Sequence, residues 1–323
     1  MPSLQKTLLD KMQREERLDR INPRIFDEPH LTNIDGIVVY FDKTPLDIVC
    51  PHFWELRWAF GCPFDCAYCY LQGTGRGDKH PRYRPLLKVT KAVKRAFNDQ
   101  YFITHPVIFN SGELSDSLMN PTNMKQIADL FETQTRHKLL LLSKSHVVQW
   151  LIDKSLKQTI CSFSINAEEI CKRWEKGACS SEQRINAAKQ LVEAGYEVRL
   201  RIDPIFPIEN WRGHYENLLY SIFSTLPSDP DRITLGTPRG LAKTLMFTKD
   251  KSWEAIAFTD NPERTSWGKK APRSTRREIY QFFHDKLASM GFDKSDIAIC
   301  KETRSMWNEL GMEPKNCRCN CIW

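Results

Sequence analysis

The 323-residue sequence has no apolar run approaching the roughly 20 residues that a membrane-spanning helix requires. Its first twenty residues, MPSLQKTLLDKMQREERLDR, are charged throughout and lack the apolar segment of a secretory signal. A cytoplasmic protein without a membrane partner is the expectation. The sequence also lacks internal repeats and low-complexity stretches, which sets aside fibrous and disordered classes. No strong excess of one charge is present: 47 Lys and Arg against 40 Asp and Glu leave +7. That balance suits a polyanionic partner but falls short of a strongly basic nucleic-acid-binding domain.

What is plentiful is cysteine. Eleven cysteines in a reducing compartment argue against disulfides, and an odd number cannot all pair, so metal binding or catalysis leads. With 41% hydrophobic residues the chain can bury a full core. Its length fits about two domains, or one barrel-sized unit with an appendage.

Three segments are expected: an N-terminal extension over 1–50, an α/β unit over 51–245, and a basic, cysteine-rich region over 246–323. The extension opens with a charged helix-like stretch, Leu4 to Arg20. From Phe53, β-rich runs recur at Phe53–Phe60, Pro106–Phe109, Leu139–Leu142, Ile160–Ile165, Val198–Ile205 and Ile233–Leu235. Helical patterns lie between most of them, including Val89–Phe97, Met124–Thr135 and Glu182–Ala194. The last carries capping-box spacing at Ser180 and Gln183 and a stop at Gly195. Another helix is expected over Glu278–Met290. Six strands alternating with helices predict right-handed βαβ units, barrel-like or doubly wound, with the site at the C-terminal strand ends.

The first strand runs into Gly61-Cys62-Pro63-Phe64-Asp65-Cys66-Ala67-Tyr68-Cys69-Tyr70. Three thiols in C-x3-C-x2-C spacing can face one centre, yet structural zinc and simple electron-transfer clusters take four ligands. A [4Fe–4S] cluster with one open iron fits; a zinc site completed from a distance, or chance clustering, are the alternatives. The motif resembles the signature of the radical S-adenosylmethionine (SAM) superfamily, matched by Cys62, Cys66 and Cys69. That resemblance implies a partial (β/α)6 barrel, SAM bound at the open iron, and a 5′-deoxyadenosyl radical that abstracts hydrogen from substrate. An electron donor such as flavodoxin or ferredoxin is then required.

From about Phe53 to Trp211 the sequence resembles the spore photoproduct lyase family more closely. The segments are CAYCYLQ (66–72), SKSH (143–146), FSINA (163–167), RINAA (184–188) before AGY (194–196), and DPI (203–205) with Trp211 downstream. The family acts on a thymine dimer lesion in DNA. By resemblance, Ser115, Lys144 and Ser164 hold SAM, and Tyr68 and Tyr70 relay a hydrogen atom; helix-free strand-end polarity and aromatic packing are the simpler alternatives. The departure is at Glu113, where the lyases carry a hydrogen-donating cysteine. A carboxylic O–H is too strong a bond for that role. Gly112 and Glu113 instead resemble the Gly-Glu motif that accepts from the SAM amino group, although a carboxylate capping a helix would look the same. Without the thiol, hydrogen returned from 5′-deoxyadenosine favours rearrangement. A thiol from Cys50, Cys161, Cys171 or Cys179 is the other route, though free cysteines usually just pack.

Cys300, Cys317, Cys319 and Cys321 make a plausible four-ligand set for a second Fe–S cluster or zinc; inert thiols are the alternative. Alternate residues of an extended tail face one side, so convergence of 317, 319 and 321 needs a turn. Two basic segments, one containing Arg82 and Arg84 and the other Lys269, Lys270, Arg273, Arg276 and Arg277 beside Trp267, suit phosphate contacts and stacking on an exposed base. Simple solvation is the alternative. The leading expectation is a radical SAM enzyme of isomerase or lyase type acting on a thymine-type base in DNA, by rearrangement or hypermodification. A lesion lyase with a relocated thiol, an enzyme on a small molecule or peptide, and a nucleic-acid-binding protein with a structural or redox-sensing cluster remain open. The sequence does not indicate an oligomeric state.

Overall fold

A computed structural model describes residues 29–323; the expected helix over Leu4 to Arg20 lies outside them. Nine strands form one sheet in the order β1 (Asn33–Ile34), β2 (Val38–Phe41), β3 (Phe53–Leu56), β4 (Ile108–Asn110), β5 (Lys138–Ser143), β6 (Thr159–Ser164), β7 (Glu197–Ile202), β8 (Arg232–Leu235), β9 (Ile297–Ile299). Strands β3 to β9 are all parallel, while β1 and β2 add an antiparallel edge. The sheet curls into a half-barrel, the radical SAM fold class that the sequence predicts.

Near-continuous apolar runs such as Leu139–Leu142 suit strands covered on both faces. Helices α1 (Leu86–Phe97), α2 (Pro121–Phe131), α3 (Ser181–Glu193), α4 (Trp211–Thr225) and α5 (Arg273–Ser289) supply the crossovers and outer layer. Helix α1 buries Val89, Ala92, Val93 and Ala96, a stripe at helical spacing. The Ser180–Gln183 capping box forms at α3, and Gly195 (φ +80°) closes it.

The sheet takes strands from all three expected segments. β1 and β2 precede residue 50, and β9 follows residue 245 with Ile233 opposite Ile297. Ile48–Val49 also pairs antiparallel with Glu302–Thr303, tying the two ends of the described chain together beside the barrel.

The C-terminal tail enters the barrel. The interior face carries a small apolar floor of Ile108, Leu140 and Ile160. Above it, Asn320 donates to Ser162 Oγ (2.8 Å) and Leu200 O (2.9 Å) and accepts from Thr234 Oγ1 (2.7 Å). Arg199 donates to the carbonyls of Asn320 (2.8 Å) and Ile322 (2.6 Å). The Asn320 side chain and the carbonyls of Asn320 and Ile322 thus have partners from the strands, which fixes the tail's register.

Candidate active site

The loop after the short strand Ala59–Phe60 carries Cys62, Cys66 and Cys69. Backbone bonds hold its start: Gly61 N donates to Leu114 O (2.9 Å) and Cys62 N to Lys79 O (2.8 Å). Gly61 lies at φ +86°, and a Cβ there would stand 2.5 Å from His80 O, so only glycine fits. Buried Gln72 clamps the loop from within, donating to the carbonyls of Cys66 (3.0 Å) and Ala67 (2.7 Å). Lys79 pairs with Asp65 at 2.7 Å across the loop. Burial pushes the Cys62 thiol up to about 12 and raises those of Cys66 and Cys69. Metal binding must therefore displace protons. The donor set, three thiols on one pinned loop, fits a cluster. Among the described residues no three His, Cys, Asp or Glu side chains yet stand in metal-holding geometry, so the thiols must draw together on binding.

Facing this loop is a buried ionic network at the C-terminal ends of β5 and β6. Lys144 Nζ donates to Ser164 Oγ (2.8 Å) and Glu175 Oε1 (2.9 Å). Arg184 Nη1 pairs with Glu175 Oε2 at 2.6 Å, and the Tyr68 hydroxyl donates to Glu175 Oε1. Burial opposes the charge of Glu175, but Lys144 and Arg184 outweigh it and hold the carboxyl at about 2. Lys144 Nζ lies 5.8 Å from the Tyr68 ring centroid and acts electrostatically on Cys66 and Cys69. Asp116 fixes the Lys144 backbone by accepting from its N–H at 2.7 Å.

The segment after β4 runs alongside the loop, with Ser115 bridged to Gly61 in parallel register. Ser115 is buried, its hydroxyl donating to Ser111 O at 3.4 Å. Gly112 packs so closely on β5 that a Cβ would meet Leu142 Cβ at 2.5 Å. Glu113 turns toward the tail cysteines, accepting from Asn110 Nδ2 at 3.1 Å. The two tyrosines part company. Tyr68 is bound into the network, whereas Tyr70 keeps 37% of its surface exposed. Burial and then the Glu113 carboxylate push the Tyr70 phenol up.

Cys50, Cys300, Cys317, Cys319 and Cys321, with Glu113, Arg201 and Lys301, surround one cavity of about 10 Å³, about one water's worth of space. The tail cysteines of the sequence analysis are thus together, with Cys50 added. The cause is the Ile48–Val49 pairing with Glu302–Thr303, which aligns Cys50 with the segment holding Cys300.

The basic residues divide. Arg82 and Arg84 are exposed beside the cluster loop, with the Arg82 guanidinium 5.0 Å from the Phe60 ring centroid. Lys269 is half-buried, and exposed Arg273 pairs with Glu309; Arg277 is exposed. Lys270 and Arg276 do not reach solvent, correcting the expectation that they contact nucleic acid. Lys270 lies 3.6 Å from the carboxylate of buried Glu302 and donates to Lys301 O at 2.8 Å. Arg276 lies on the buried stripe of α5 with Ile279, Tyr280 and Phe283, paired with Glu263 and Glu302.

The family model for spore photoproduct lyase matches residues 52–236. The chain belongs to the spore photoproduct lyase family. The spore photoproduct lyase of Bacillus subtilis is 31% identical over 235 residues, covering 67% of this chain and 65% of the relative. That of Clostridium acetobutylicum is 25% identical over 175 residues, 51% of this chain and 50% of the relative. The chain therefore spans between half and just under two thirds of the length of these relatives. A spore photoproduct lyase complexed with dinucleoside spore photoproduct superposes with a TM-score of 0.65 at 19% identity, covering 76% of this chain and 75% of that one. Streptococcus suis SuiB bound to precursor peptide SuiA superposes at 0.53 with 13% identity, over 80% of this chain and 50% of SuiB. At such identities the likeness concerns the fold.

Sequence reasoning missed Glu175, Arg184 and Asn110. Glu175 stands in a run of charges, Lys172-Arg173-Trp174-Glu175-Lys176, that reads as a solvated helix end. Only its basic partners, Lys144 well before it and Arg184 on the next helix, distinguish it.

Proposed function

We propose that this member of the spore photoproduct lyase family binds a [4Fe–4S] cluster through Cys62, Cys66 and Cys69 and SAM beside it, and acts on a thymine-type base in DNA by rearrangement or hypermodification. When bound, the cluster and SAM together supply a 5′-deoxyadenosyl radical able to abstract hydrogen from carbon. The observation that carries the reading is the Lys144 ammonium, half-buried beside the three-cysteine loop and aimed by Ser164 and Glu175. A fixed ammonium there suits the SAM carboxylate, with charge-assisted hydrogen bonding reinforced by burial. Arg184 keeps Glu175 ionised, so Glu175 keeps Lys144 charged. Gly112, Glu113 and Ser115, on the segment beside the loop, are the proposed further SAM contacts, with Glu113 accepting from the SAM amino group once its carboxylate turns from the tail cysteines. Tyr68 and Tyr70 flank the reacting region.

Glu113 offers a carboxylate where a thiol would be needed to give hydrogen to the product, so a bound cofactor would have to take back what it removes, which is the basis for preferring rearrangement. A second reading, lesion cleavage with a relocated thiol, is favoured by one contact: Cys321 Sγ lies 3.5 Å from Asn110 Nδ2, the same nitrogen that holds Glu113. Exposed Arg82, Arg84 and Arg277, with Arg273 and Lys269, are the proposed phosphate contacts; a base within a duplex must be flipped out or presented single-stranded. Anaerobically reconstituted protein with dithionite and SAM, without an oligonucleotide, should release 5′-deoxyadenosine by uncoupled cleavage, and Cys62→Ala, Cys66→Ala or Cys69→Ala should abolish it. Intact cluster without 5′-deoxyadenosine would overturn the proposal and favour a binding protein.

A further inference from the structure

We infer that Cys50, Cys300, Cys317, Cys319 and Cys321 provide a second metal centre, four of these thiolates binding zinc or an iron–sulfur cluster inside the barrel. All five are free thiols, and Cys300, Cys319 and Cys321 are buried. Cys317 N donates to Pro314 O at 3.2 Å and Ile322 N to Cys319 O at 3.4 Å, so the tail turns rather than running extended here. Its turn brings alternate residues to one point, the requirement that the C-x-C-x-C spacing imposes. Thr234 and Ser162 hold the turn through Asn320.

The surroundings are those of thiolates rather than of packing thiols. Arg201 aims Nη2 at Cys300 Sγ (3.3 Å) and at Cys321 Sγ (3.9 Å). Its buried Nε has no hydrogen-bond partner and stands 3.9 Å from Asp203. Lys301 lines the same cavity, and Asn110 donates to Cys321 at 3.5 Å. Arg201 and Lys301 are half-buried, and with only Asp203 at 3.9 Å and the cavity-lining Glu113 as carboxylates, neutral sulfur would leave two cations loosely matched. Four thiolates on a divalent core carry net negative charge, which Arg201 and Lys301 offset. Hydrogen bonds to sulfur are the usual outer support of such sites. Five apolar side chains would fill the same space without any of these charges. Binding releases the thiol protons; zinc keeps its oxidation state, and a [4Fe–4S] cluster forms without net electron transfer when ferrous and ferric iron are supplied in equal amounts with sulfide. The thiols must close in on the metal, as those of the Cys62–Cys66–Cys69 loop must.

The test removes the loop site first. The variant Cys62→Ala/Cys66→Ala/Cys69→Ala, prepared anaerobically, is loaded either with zinc alone or with iron and sulfide. Retention of about one zinc, or about four iron and four sulfide, per chain supports the site and identifies its metal. Adding Cys319→Ala and Cys321→Ala should abolish retention. A loop variant that binds neither metal while keeping the wild-type melting temperature would overturn the inference. So would unchanged metal content after the two further substitutions. Independently of variants, iodoacetamide labelling of at least one of Cys50 and Cys317, the two partly exposed thiols, should rise at least tenfold when the metal is chelated from the loaded wild-type chain; unchanged labelling of both, or a disulfide among the five, contradicts the site. The result is separate from SAM cleavage, which the loop variant lacks by design. A metal here would also engage Cys321 and so remove the relocated thiol of the second reading above.

Discussion

Replacing Glu175 with glutamine tests the ionic network that we place behind SAM binding. Glu175 is 2% exposed, and its side chain receives Lys144, Arg184 and Tyr68. The substitution keeps the shape but leaves two buried cations without their anion. Breaking a buried pair in this way costs about 3–5 kcal/mol. The proton linkage gives a consistent figure. Holding the carboxyl near 2 instead of its ordinary 4.5 corresponds to about 3 kcal/mol of stability at neutral pH. Because the folded value is depressed, this stability is present above about 4.5 and is lost as pH falls toward 2. With about 2.1 cal/mol/K of unfolding entropy per residue, a 323-residue chain should lose about 4–7 °C in melting temperature at pH 7. The gap between wild type and Glu175→Gln should narrow steadily below pH 4.5. Scanning calorimetry and urea melts at pH 7 and pH 3 measure both effects. A melting temperature within 1 °C of wild type at pH 7, or a gap that does not depend on pH, would refute the reasoning.

Other consequences follow from single contacts. Gly112→Ala drives a Cβ against Leu142 Cβ at 2.5 Å; about 1–3 kcal/mol of stability should be lost in denaturant melts, with weaker SAM binding by calorimetry. Gln72→Leu takes one of two donors from each of the carbonyls of Cys66 and Ala67, which keep Cys69 N and Thr248 Oγ1, and strands the Lys249 N–H, costing about 1–3 kcal/mol and shortening the lifetime of loop-bound iron, read by absorbance. Arg82→Ala/Arg84→Ala should weaken oligonucleotide binding and reduce the magnitude of the log–log salt slope by about 2 without altering the melting temperature. Lys270→Ala/Arg276→Ala should do the reverse, since both side chains pair with buried Glu302.

The sequence carried the half-barrel clearly because parallel strands buried on both faces are apolar throughout, and because Ser180, Gln183 and Gly195 mark both ends of α3. Strand β9 escaped: three residues, Ile297-Ala298-Ile299, are too short to show a period. The three-cysteine loop was legible since all its ligands are local. Glu175 and Cys50 were not, because each gains meaning only from partners far along the chain. The same reason explains Lys270 and Arg276. Their acid-free surroundings in sequence read as solvent-facing, while the compensating Glu302 lies beyond α5. Charge position in sequence reports local repulsion; burial depends on what the fold brings opposite.

The central claim is radical chemistry on a DNA base with hydrogen returned by the cofactor rather than by a thiol. Its most direct test uses an oligonucleotide deuterated throughout its thymine-type bases, incubated anaerobically with reconstituted protein, dithionite and SAM. The account predicts deuterium in 5′-deoxyadenosine or SAM and deuterium carried back into the product, with no solvent hydrogen incorporated at carbon. Product formed with a solvent-derived hydrogen would contradict it and point to a thiol donor.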